Sequence, residues 1–231
     1  MQERILIVDD DEMLAEALAT YLRARGFQTL AANSGREGLK LAEQKRPDLI
    51  LLDIMLPEMD GWLVCRRLRE TSRVPVIFIT AKTTEQDVLM GFHVGGDDYL
   101  TKPFSLVELE ERCRAIFRRM QVSPSREGRV YDDGTLRIDL DQQQVWHRNI
   151  PVRLTPTEFR LLEALLADKG RVMPHAELLV KVWGAPYAEA KTALSLYIRY
   201  LREKLEDDPA RPAYIQTQWG VGYWFAPQAV M

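Results

Sequence analysis

Five polar residues in the first half of the chain stand directly after short, mostly apolar runs, and their side chains suit the binding of a cation and a phosphoryl group. They are Asp9, Asp10, Asp53, Thr80 and Lys102. Short apolar runs that alternate with amphipathic helices are typical of a parallel sheet, whose ligands bind outside the carboxyl ends of the strands. We therefore expect three carboxylates, a hydroxyl and an ammonium group to meet at one rim.

Such a rim predicts a magnesium site that supports phosphoryl transfer. Three crowded carboxylates cannot all stay ionised without a cation, and oxygen ligands with no nearby His or Cys favour Mg²⁺. Asp53, the central carboxylate, is the expected nucleophile. Lys102 would neutralise one phosphoryl oxygen and the Thr80 hydroxyl would bond another.

The apolar periodicity of residues 1–120 predicts five strand–helix units, which make a doubly wound parallel five-stranded α/β domain of the flavodoxin-like (βα)5 type. The predicted strands are 4–8, 28–31, 49–52, 76–79 and 98–101, and the predicted helices are 11–25, 35–45, 61–71, 85–93 and 105–119. We expect Gly26 to end the first helix and Ser34 to cap the second.

The pattern changes after residue 120. Residues 121–128 have the Ser, Pro and Gly content of a linker. Residues 129–231 carry short β runs over 129–152, then three helices and a hairpin, an α+β order typical of a winged helix-turn-helix domain. The helices are predicted at 156–168 (with Thr155 and Glu158 as a capping box), 175–182 and 189–206, and the hairpin at 213–226.

Composition limits the classes of partner. The formal net charge is −3, and residues 122–231 are electrically balanced, so a nucleic-acid contact must come from a local patch. No apolar run is long enough for a membrane span, and Glu3 and Arg4 interrupt any signal peptide, so we expect a cytoplasmic chain with no membrane partner. Cys65 and Cys113 could form a redox pair, but two reduced thiols in helices are the more ordinary interpretation.

The predicted helix 189–206 has a face that suits a DNA major groove. Its apolar stripe consists of Leu194, Ile198, Leu201 and Leu205. The adjacent polar arc consists of Lys191, Ser195, Arg199 and Arg202. A helix that is anchored by an apolar stripe and exposes cationic and small polar side chains can enter a groove. Standing alone, this pattern would more readily indicate an ordinary solvated helix.

Residues 3–120 resemble the receiver domain of two-component response regulators. The matching motifs are the acidic stretch Asp9-Asp10-Asp11-Glu12, the run from Asp48 to Gly61 that contains Asp53 and Pro57, the pair Thr80-Ala81, and the run from Gly95 to Phe104. Any one of them would be weak evidence, whereas together and in this order they are highly specific.

The resemblance implies roles for individual residues. Asp53 would accept a phosphoryl group from a cognate histidine kinase. Asp9 and Asp10 would hold Mg²⁺ with help from the backbone carbonyl of Met55. Thr80 and Tyr99 match a switch pair, Lys102-Pro103 matches a cis peptide, and Met55 and Lys82 match positions that tune hydrolysis of the aspartyl phosphate.

A phosphatase of the haloacid dehalogenase type is a rival interpretation, since those enzymes also combine a nucleophilic Asp, a Thr or Ser, a Lys and acidic residues with Mg²⁺. Their nucleophile comes early and their acidic pair last, the reverse of the order here. Asp53 is also followed by Ile54 and Met55, so no acid stands ready to protonate a leaving group. We therefore expect no enzymatic activity beyond self-phosphorylation and self-dephosphorylation of Asp53.

Residues 129–227 resemble the winged-helix output domain of OmpR/PhoB-type regulators. The matching stretches are 154–162, 182–184, 197–205 and 215–223. The resemblance implies that helix 189–206 reads the major groove of double-stranded DNA, that the hairpin wing touches the flanking minor groove, and that the loop near 183–190 can meet RNA polymerase.

Particular residues are implied as DNA contacts. Those on the helix are Lys191, Thr192, Ser195, Tyr197, Arg199, Tyr200 and Arg202, and those in the wing are Thr217, Trp219 and Gly220. Trp219 stands where Arg is frequent, and it either packs on a DNA sugar or belongs to the wing core. Fewer cations than in a more basic relative predict a shallower salt dependence of binding.

The resemblance also implies a two-fold interface formed by helix 85–93, strand 98–101 and helix 105–119. The matching charged residues are Asp97, Asp98, Glu108 and Arg112. Val88 stands where a basic residue is usual and His93 where an acid is usual, and Val88 would leave Glu108 without its expected partner.

These observations predict a transcription factor that is activated by phosphorylation. Transfer to Asp53 would drive formation of a homodimer, and the paired winged helices would bind a direct-repeat promoter site. The alternative is a regulator that binds DNA without phosphorylation and uses its receiver as a protein-interaction module.

Overall fold

A five-stranded parallel sheet forms the centre of the first of two units into which the chain divides, Met1–Gln121 and Val122–Met231. The computed structural model describes residues 2–81, 90–91, 94–121, 129–184, 187 and 191–228. The strands are β1 (Arg4–Val8), β2 (Gln28–Ala32), β3 (Leu49–Asp53), β4 (Val76–Thr80) and β5 (Asp98–Thr101), in the order β2-β1-β3-β4-β5. This confirms the doubly wound parallel sheet.

The described helices of this unit are α1 (Glu12–Ala24), α2 (Gly35–Lys45), α3 (Gly61–Thr71) and α4 (Leu106–Gln121). The N-caps are Asp11, Ser34 and Asp60 for α1, α2 and α3, and Ser34 is the cap that the sequence predicted. Gly26 takes a φ of 96° just after α1, as expected at that helix end. The predicted helix 85–93 lies outside the described residues except for Met90 and Gly91.

Helices cover both faces of this sheet because its strands are apolar on both sides. Ile5 and Ile7 of β1 join one cluster with α1 and α4. Val8, on the opposite face, meets Gly38 of α2 so closely that a Cβ there would lie 2.9 Å from a Val8 methyl group. Strands β3 and β4 are buried at all of their positions, as their continuous apolar runs predicted.

Within its described residues, the second unit contains two small antiparallel sheets and three helices. Four strands, β6 (Val130–Asp132), β7 (Leu136–Asp139), β8 (Gln144–His147) and β9 (Ile150–Val152), pair in chain order. The helices are α5 (Pro156–Ala167), α6 (His175–Trp183) and α7 (Lys191–Leu205). Thr155 and Glu158 form the predicted capping box at the start of α5.

The C-terminal sheet has one strand more than the predicted hairpin. Strands β11 (Ile215–Gln218) and β12 (Gly222–Phe225) form the hairpin, and β10 (Met173–Pro174) pairs with the other edge of β12. Two residues that include a proline carry no periodicity, so β10 was not predictable from the sequence. This unit is therefore the expected winged helix-turn-helix.

Among the described residues, no helix combines the length and the apolar character that crossing a bilayer would require. Cys65 and Cys113 are both free and buried. Burial raises the pKa of the Cys65 thiol to about 11 and that of the Cys113 thiol further still. The two residues are therefore reduced thiols of the core, and the redox-pair interpretation is wrong.

Candidate phosphoryl site and nucleic-acid interface

The carboxyl ends of β1, β3, β4 and β5 bring the five predicted residues to one rim. Asp9 and Asp53 are 3% and 6% exposed and Thr80 is fully buried, whereas Asp10 is exposed. One carboxylate oxygen from each of Asp9, Asp10 and Asp53 lies within 4.8 Å of the others. A divalent cation with oxygen ligands fits this set of donors.

Lys102 already bridges two of these carboxylates. Its Nζ donates to Asp53 Oδ2 at 2.6 Å and to Asp9 Oδ2 at 2.9 Å. Burial acts to lower the pKa of Lys102, but the hydrogen bonds and charges of the two aspartates outweigh it and raise the pKa. Burial also raises the pKa of Asp9, against the opposing effect of Lys102. The site thus holds an ammonium charge next to the expected nucleophile.

The loop after β3 fixes the other oxygen of Asp53. The backbone N–H of Met55 donates to Asp53 Oδ1 at 2.8 Å, and the Met55 side chain is exposed. Gly61 donates its N–H to the carbonyl of Ile54, and a Cβ at Gly61 would lie 2.2 Å from the carbonyl oxygen of Asp53. Only glycine fits this close approach between the start of α3 and the end of β3.

The remaining receiver residues lie on β5 and just after it. The Lys102–Pro103 peptide is cis. The Tyr99 ring is buried, and its centroid lies 6.2 Å from that of Phe78 on the neighbouring strand. Lys82, Val88 and His93 lie outside the described residues.

The residues proposed for a two-fold interface are paired within the chain. Arg112 donates to Asp98 Oδ1 at 2.9 Å and to Glu108 Oε1 at 2.6 Å. Glu108 therefore has a partner within its own chain, whereas its expected partner position, Val88, lies outside the described residues.

Asp97 does not belong to such an interface. Its side chain is 1% exposed and accepts hydrogen bonds from Arg69 Nη2 and from the backbone N–H of Val76, both at 3.0 Å. Arg69 also donates to the carbonyls of Gly95 and Val74, so it joins the end of α3 to the segments that precede β5 and β4. The assignment of Asp97 to an interface is wrong because this buried network occupies its carboxylate.

In the second unit, the apolar stripe of α7 is buried as predicted. Lys191, Thr192, Ser195 and Arg199 are exposed. The guanidinium of Arg199 pairs with Glu203 one turn further on and lies over the ring of Tyr200. These four side chains form the exposed arc of α7.

Three other residues expected to face DNA point into the protein. Tyr197 is fully buried, with its ring centroid 5.2 Å from that of Trp183, and Tyr200 is 5% exposed. Their aromatic rings fill the core, so both assignments as DNA contacts are wrong. Arg202 is half-buried and donates to the carbonyl of Ile215 and the hydroxyl of Thr217.

The tip of the wing places a large aromatic side chain in solvent. Trp219 at the tip is 87% exposed, which rules out the wing core as its place. Gly220 beside it takes a φ of 75° in the turn, and Thr217 on β11 is half-buried against Arg202.

Two residues whose side chains connect elements of the second unit were not predicted from the sequence. The carboxylate of Glu206 accepts hydrogen bonds from three successive backbone N–H groups, those of Ala213, Tyr214 and Ile215. Lys204 pairs with the buried Glu158 at 2.6 Å and so ties α7 to the start of α5. Both residues look like ordinary helix-surface charges in sequence, because their partners are distant in the chain or are backbone groups.

Each of the two units matches a family of known proteins. Residues 5–114 match the family described as "Response regulator receiver domain", and residues 149–225 match "Transcriptional regulatory protein, C terminal". The chain is 40% identical to "Sensory transduction protein RegX3" of Mycolicibacterium smegmatis, over 95% of this chain and 97% of that protein. It is 41% identical to "DNA-binding response regulator MtrA" of the same organism, over 98% of each.

A solved structure supports the same assignment. The response regulator DrrB of Thermotoga maritima, described as an OmpR/PhoB homolog, superposes with a TM-score of 0.52 at 32% identity. The alignment covers 98% of this chain and 100% of that one.

Proposed function

Because the chain belongs to the OmpR/PhoB-type family of DNA-binding two-component response regulators, we propose that a histidine kinase phosphorylates it on Asp53 to control its binding to promoter DNA. The observation that carries this proposal is the position of Asp53. Its two oxygens are held by Lys102 and by the Met55 amide, beside two further carboxylates.

The chemistry follows from that position. An oxygen of Asp53 attacks the phosphorus of a phosphohistidine, the new P–O bond forms as the P–N bond breaks, and the imidazole nitrogen leaves with the electron pair. Lys102 neutralises charge on the transferred group, and the Thr80 hydroxyl donates to another of its oxygens. Mg²⁺, held by Asp9, Asp10, Asp53 and the Met55 carbonyl, would supply further positive charge.

The output of this reaction is a change in the receiver surface. Movement of Thr80 toward the phosphoryl group would open space behind it, and the Tyr99 ring, which is buried beside Phe78, would shift further toward that space. The face formed by helix 85–93, β5 and α4 then joins a second copy through Glu108 and Arg112. A dimer presents two winged helices, so a direct-repeat site gains affinity through effective concentration.

The DNA contacts proposed for each copy are fewer than the family pattern supplies. The exposed arc of α7, which consists of Lys191, Thr192, Ser195 and Arg199, enters the major groove, and Trp219 reaches the minor groove. RNA polymerase is proposed as a protein partner of the DNA-bound chain.

Mass spectrometry tests the phosphoryl transfer. The full chain is incubated with acetyl phosphate and Mg²⁺, beside Asp53→Asn and an Asp48→Asn variant that changes an exposed carboxylate outside the cluster. We expect one phosphoryl group on the wild type and on Asp48→Asn, and none on Asp53→Asn. If no variant gains mass, the receiver is an interaction module and DNA binding is independent of phosphorylation.

Light scattering tests the proposed dimer. Mg²⁺ and beryllofluoride, a mimic of the aspartyl phosphate, should double the solution mass of the wild type and leave Asp53→Asn unchanged. Doubling that persists in Asp53→Asn would contradict control of assembly by this site.

A further inference from the structure

Hydrogen bonds join the wing to the C-terminal turn of α7, and the sequence pattern did not predict them. Strand β11 is an edge of its sheet, since it pairs with β12 alone. Unpaired N–H and C=O groups along an edge normally face water or a further strand. At Ile215, side chains from the end of α7 take that place.

Both backbone groups of Ile215 have such a partner. Its carbonyl accepts from Arg202 Nη2 at 2.7 Å and from Nε at 3.0 Å. Its N–H donates to Glu206 Oε1 at 2.7 Å, and the same carboxylate accepts from the N–H groups of Tyr214 and Ala213. The two side chains thus bond the strand edge as a neighbouring strand would.

Arg202 extends this connection toward the wing tip. Its Nη2 also donates to Thr217 Oγ1 at 2.7 Å, and the guanidinium carbon lies 6.0 Å from the ring centroid of Tyr223 on β12. The Tyr223 hydroxyl in turn lies 3.2 Å from Ser195 Oγ, two turns back along α7. Burial lowers the pKa of Arg202, as expected for a guanidinium removed from water.

Arg199 provides a contrast on the same helix. Its side chain is 61% exposed and its ion pair is with Glu203, one turn away on the helix surface. A guanidinium placed in this way can turn toward a phosphate at little cost, because an exposed ion pair is weak. Arg202 would first have to give up three hydrogen bonds to the wing.

We propose that Arg202 and Glu206 are positioning residues that fix the wing relative to α7, and so set the spacing at which the helix and the wing meet the two grooves. This inference rests on the proposed use of α7 and the wing in DNA binding. Arg202 is thereby reassigned from a DNA contact to a residue that holds the wing in place. The hydrogen bonds of Arg202 and Glu206 to the wing are called the strut below.

Hydrogen exchange of the free full-length chain tests the strut without DNA. Arg202→Met keeps the length of the aliphatic stem but removes the donors, and Arg199→Met is its matched control. We expect amides in peptides that span 214–226 to exchange about tenfold faster in Arg202→Met, because the charged hydrogen bonds that hold this segment are lost. Arg199→Met should exchange as the wild type does.

A second pair of variants covers the case in which Arg202→Met fails to fold. Arg202→Lys keeps the charge and one donor group, so it should exchange at a rate between those of the wild type and Arg202→Met. Thr217→Val removes one acceptor with little change in shape and should loosen the same peptides. Unchanged exchange in both variants would overturn the proposal.

A DNA-binding measurement distinguishes positioning of the wing from a general effect on stability. The probe is a duplex selected by the wild-type chain from a random-sequence pool. Arg202→Lys should keep protection of guanine N7 in the major groove and lose protection of the flanking minor groove. The slope of log K against log salt should fall by about 0.9 in Arg199→Met and stay unchanged in Arg202→Met.

The results of these experiments distinguish failure of the inference about Arg202 from failure of the proposed function. A salt slope that falls by about 0.9 in Arg202→Met with normal wing exchange would make Arg202 a phosphate contact and overturn the proposal. If exchange rises as expected but wild-type α7 or the wing protects no groove, the strut stands and the proposed mode of DNA binding fails.

Discussion

Lys102 Nζ lies 2.6 Å from Asp53 Oδ2, so the carboxylate proposed as the phosphoacceptor is paired with an ammonium group of its own chain. The same nitrogen lies 2.9 Å from Asp9 Oδ2. The ammonium group and a divalent cation at the three-carboxylate cluster would therefore share Asp9 and Asp53 as partners. Lys102 has two opposed effects, since it restrains the nucleophile and competes with the metal.

Replacing Lys102 by Met should separate these effects. Lys102 places a positive charge beside three carboxylates and so opposes the binding of Mg²⁺. If this opposition amounts to about 1.4 kcal/mol, its removal should increase the affinity for Mg²⁺ about tenfold. Phosphorylation by acetyl phosphate should fall despite tighter metal binding, because a phosphoryl oxygen loses its cation. Titration calorimetry and mass spectrometry measure the two quantities.

Lys40→Met is the control for this experiment, because Lys40 is exposed on α2 and not part of the cluster. It should leave both quantities unchanged. Weaker Mg²⁺ binding in Lys102→Met would contradict the competition.

Gly61→Ala should damage the phosphoryl site without changing any polar side chain. The new Cβ would lie 2.2 Å from the carbonyl oxygen of Asp53 and 2.8 Å from Ile54 Cα, so backbone must move. We expect a loss of about 1–3 kcal/mol in the free energy of unfolding and at least a several-fold slower phosphorylation. Urea unfolding and mass spectrometry measure these changes, and Arg66→Ala, an exposed position of the same helix, should change neither.

Trp219 tests whether the wing contact is apolar. Trp219→Ala should weaken DNA binding but leave the salt slope and the stability of the chain unchanged, because the ring is 87% exposed and carries no charge. Trp219→Arg should steepen the slope by about 0.9 if the new cation meets a phosphate. Binding titrations across a salt series measure both. Equal affinity of Trp219→Ala and the wild type would exclude the wing tip from the contact.

Asp133 should give the second unit an acid-sensitive component of stability. Burial acts to raise the pKa of Asp133, but hydrogen bonds from the amides of Leu136 and Thr135 and from the Tyr131 hydroxyl outweigh it and lower the pKa below 3.8. Because the folded pKa is the lower one, this stabilisation is complete above the unfolded pKa and is lost as pH falls through the folded pKa.

Asp133→Asn therefore should be less stable than the wild type at neutral pH, and the two should converge as the pH falls below about 4. Urea unfolding over a pH series measures the difference. Asp132→Asn makes the same change of charge one residue away. A constant difference between Asp133→Asn and the wild type at every pH would show that ionisation of Asp133 contributes nothing.

The strand ends and the two domain folds were predictable because the rules that place them are local. Apolar runs mark β1, β3 and β4, and a residue directly after such a run must lie at the rim. The arrangement of Lys102 between Asp9 and Asp53 was not predictable, because it depends on the conformations of three side chains from three strands.

The errors share one cause, which is that a family position describes a place on the backbone and not the packing around it. The resemblance implied that Tyr197 faces DNA, yet its ring packs on Trp183. Asp97 occupies an interface position, yet Arg69 and the Val76 amide bind its carboxylate. In both cases the decisive partner is distant in sequence, where periodicity carries no information.

The pairing of β10 with β12 has a consequence for the order of folding. Met173 precedes α6 and its partner Tyr223 follows α7, so this ladder closes a long segment of chain that contains both helices. The entropy lost in closing such a loop is recovered only once the helices inside it have packed. The wing sheet should therefore assemble late, and a nascent chain should acquire α7 before the sheet that its Arg202 side chain contacts.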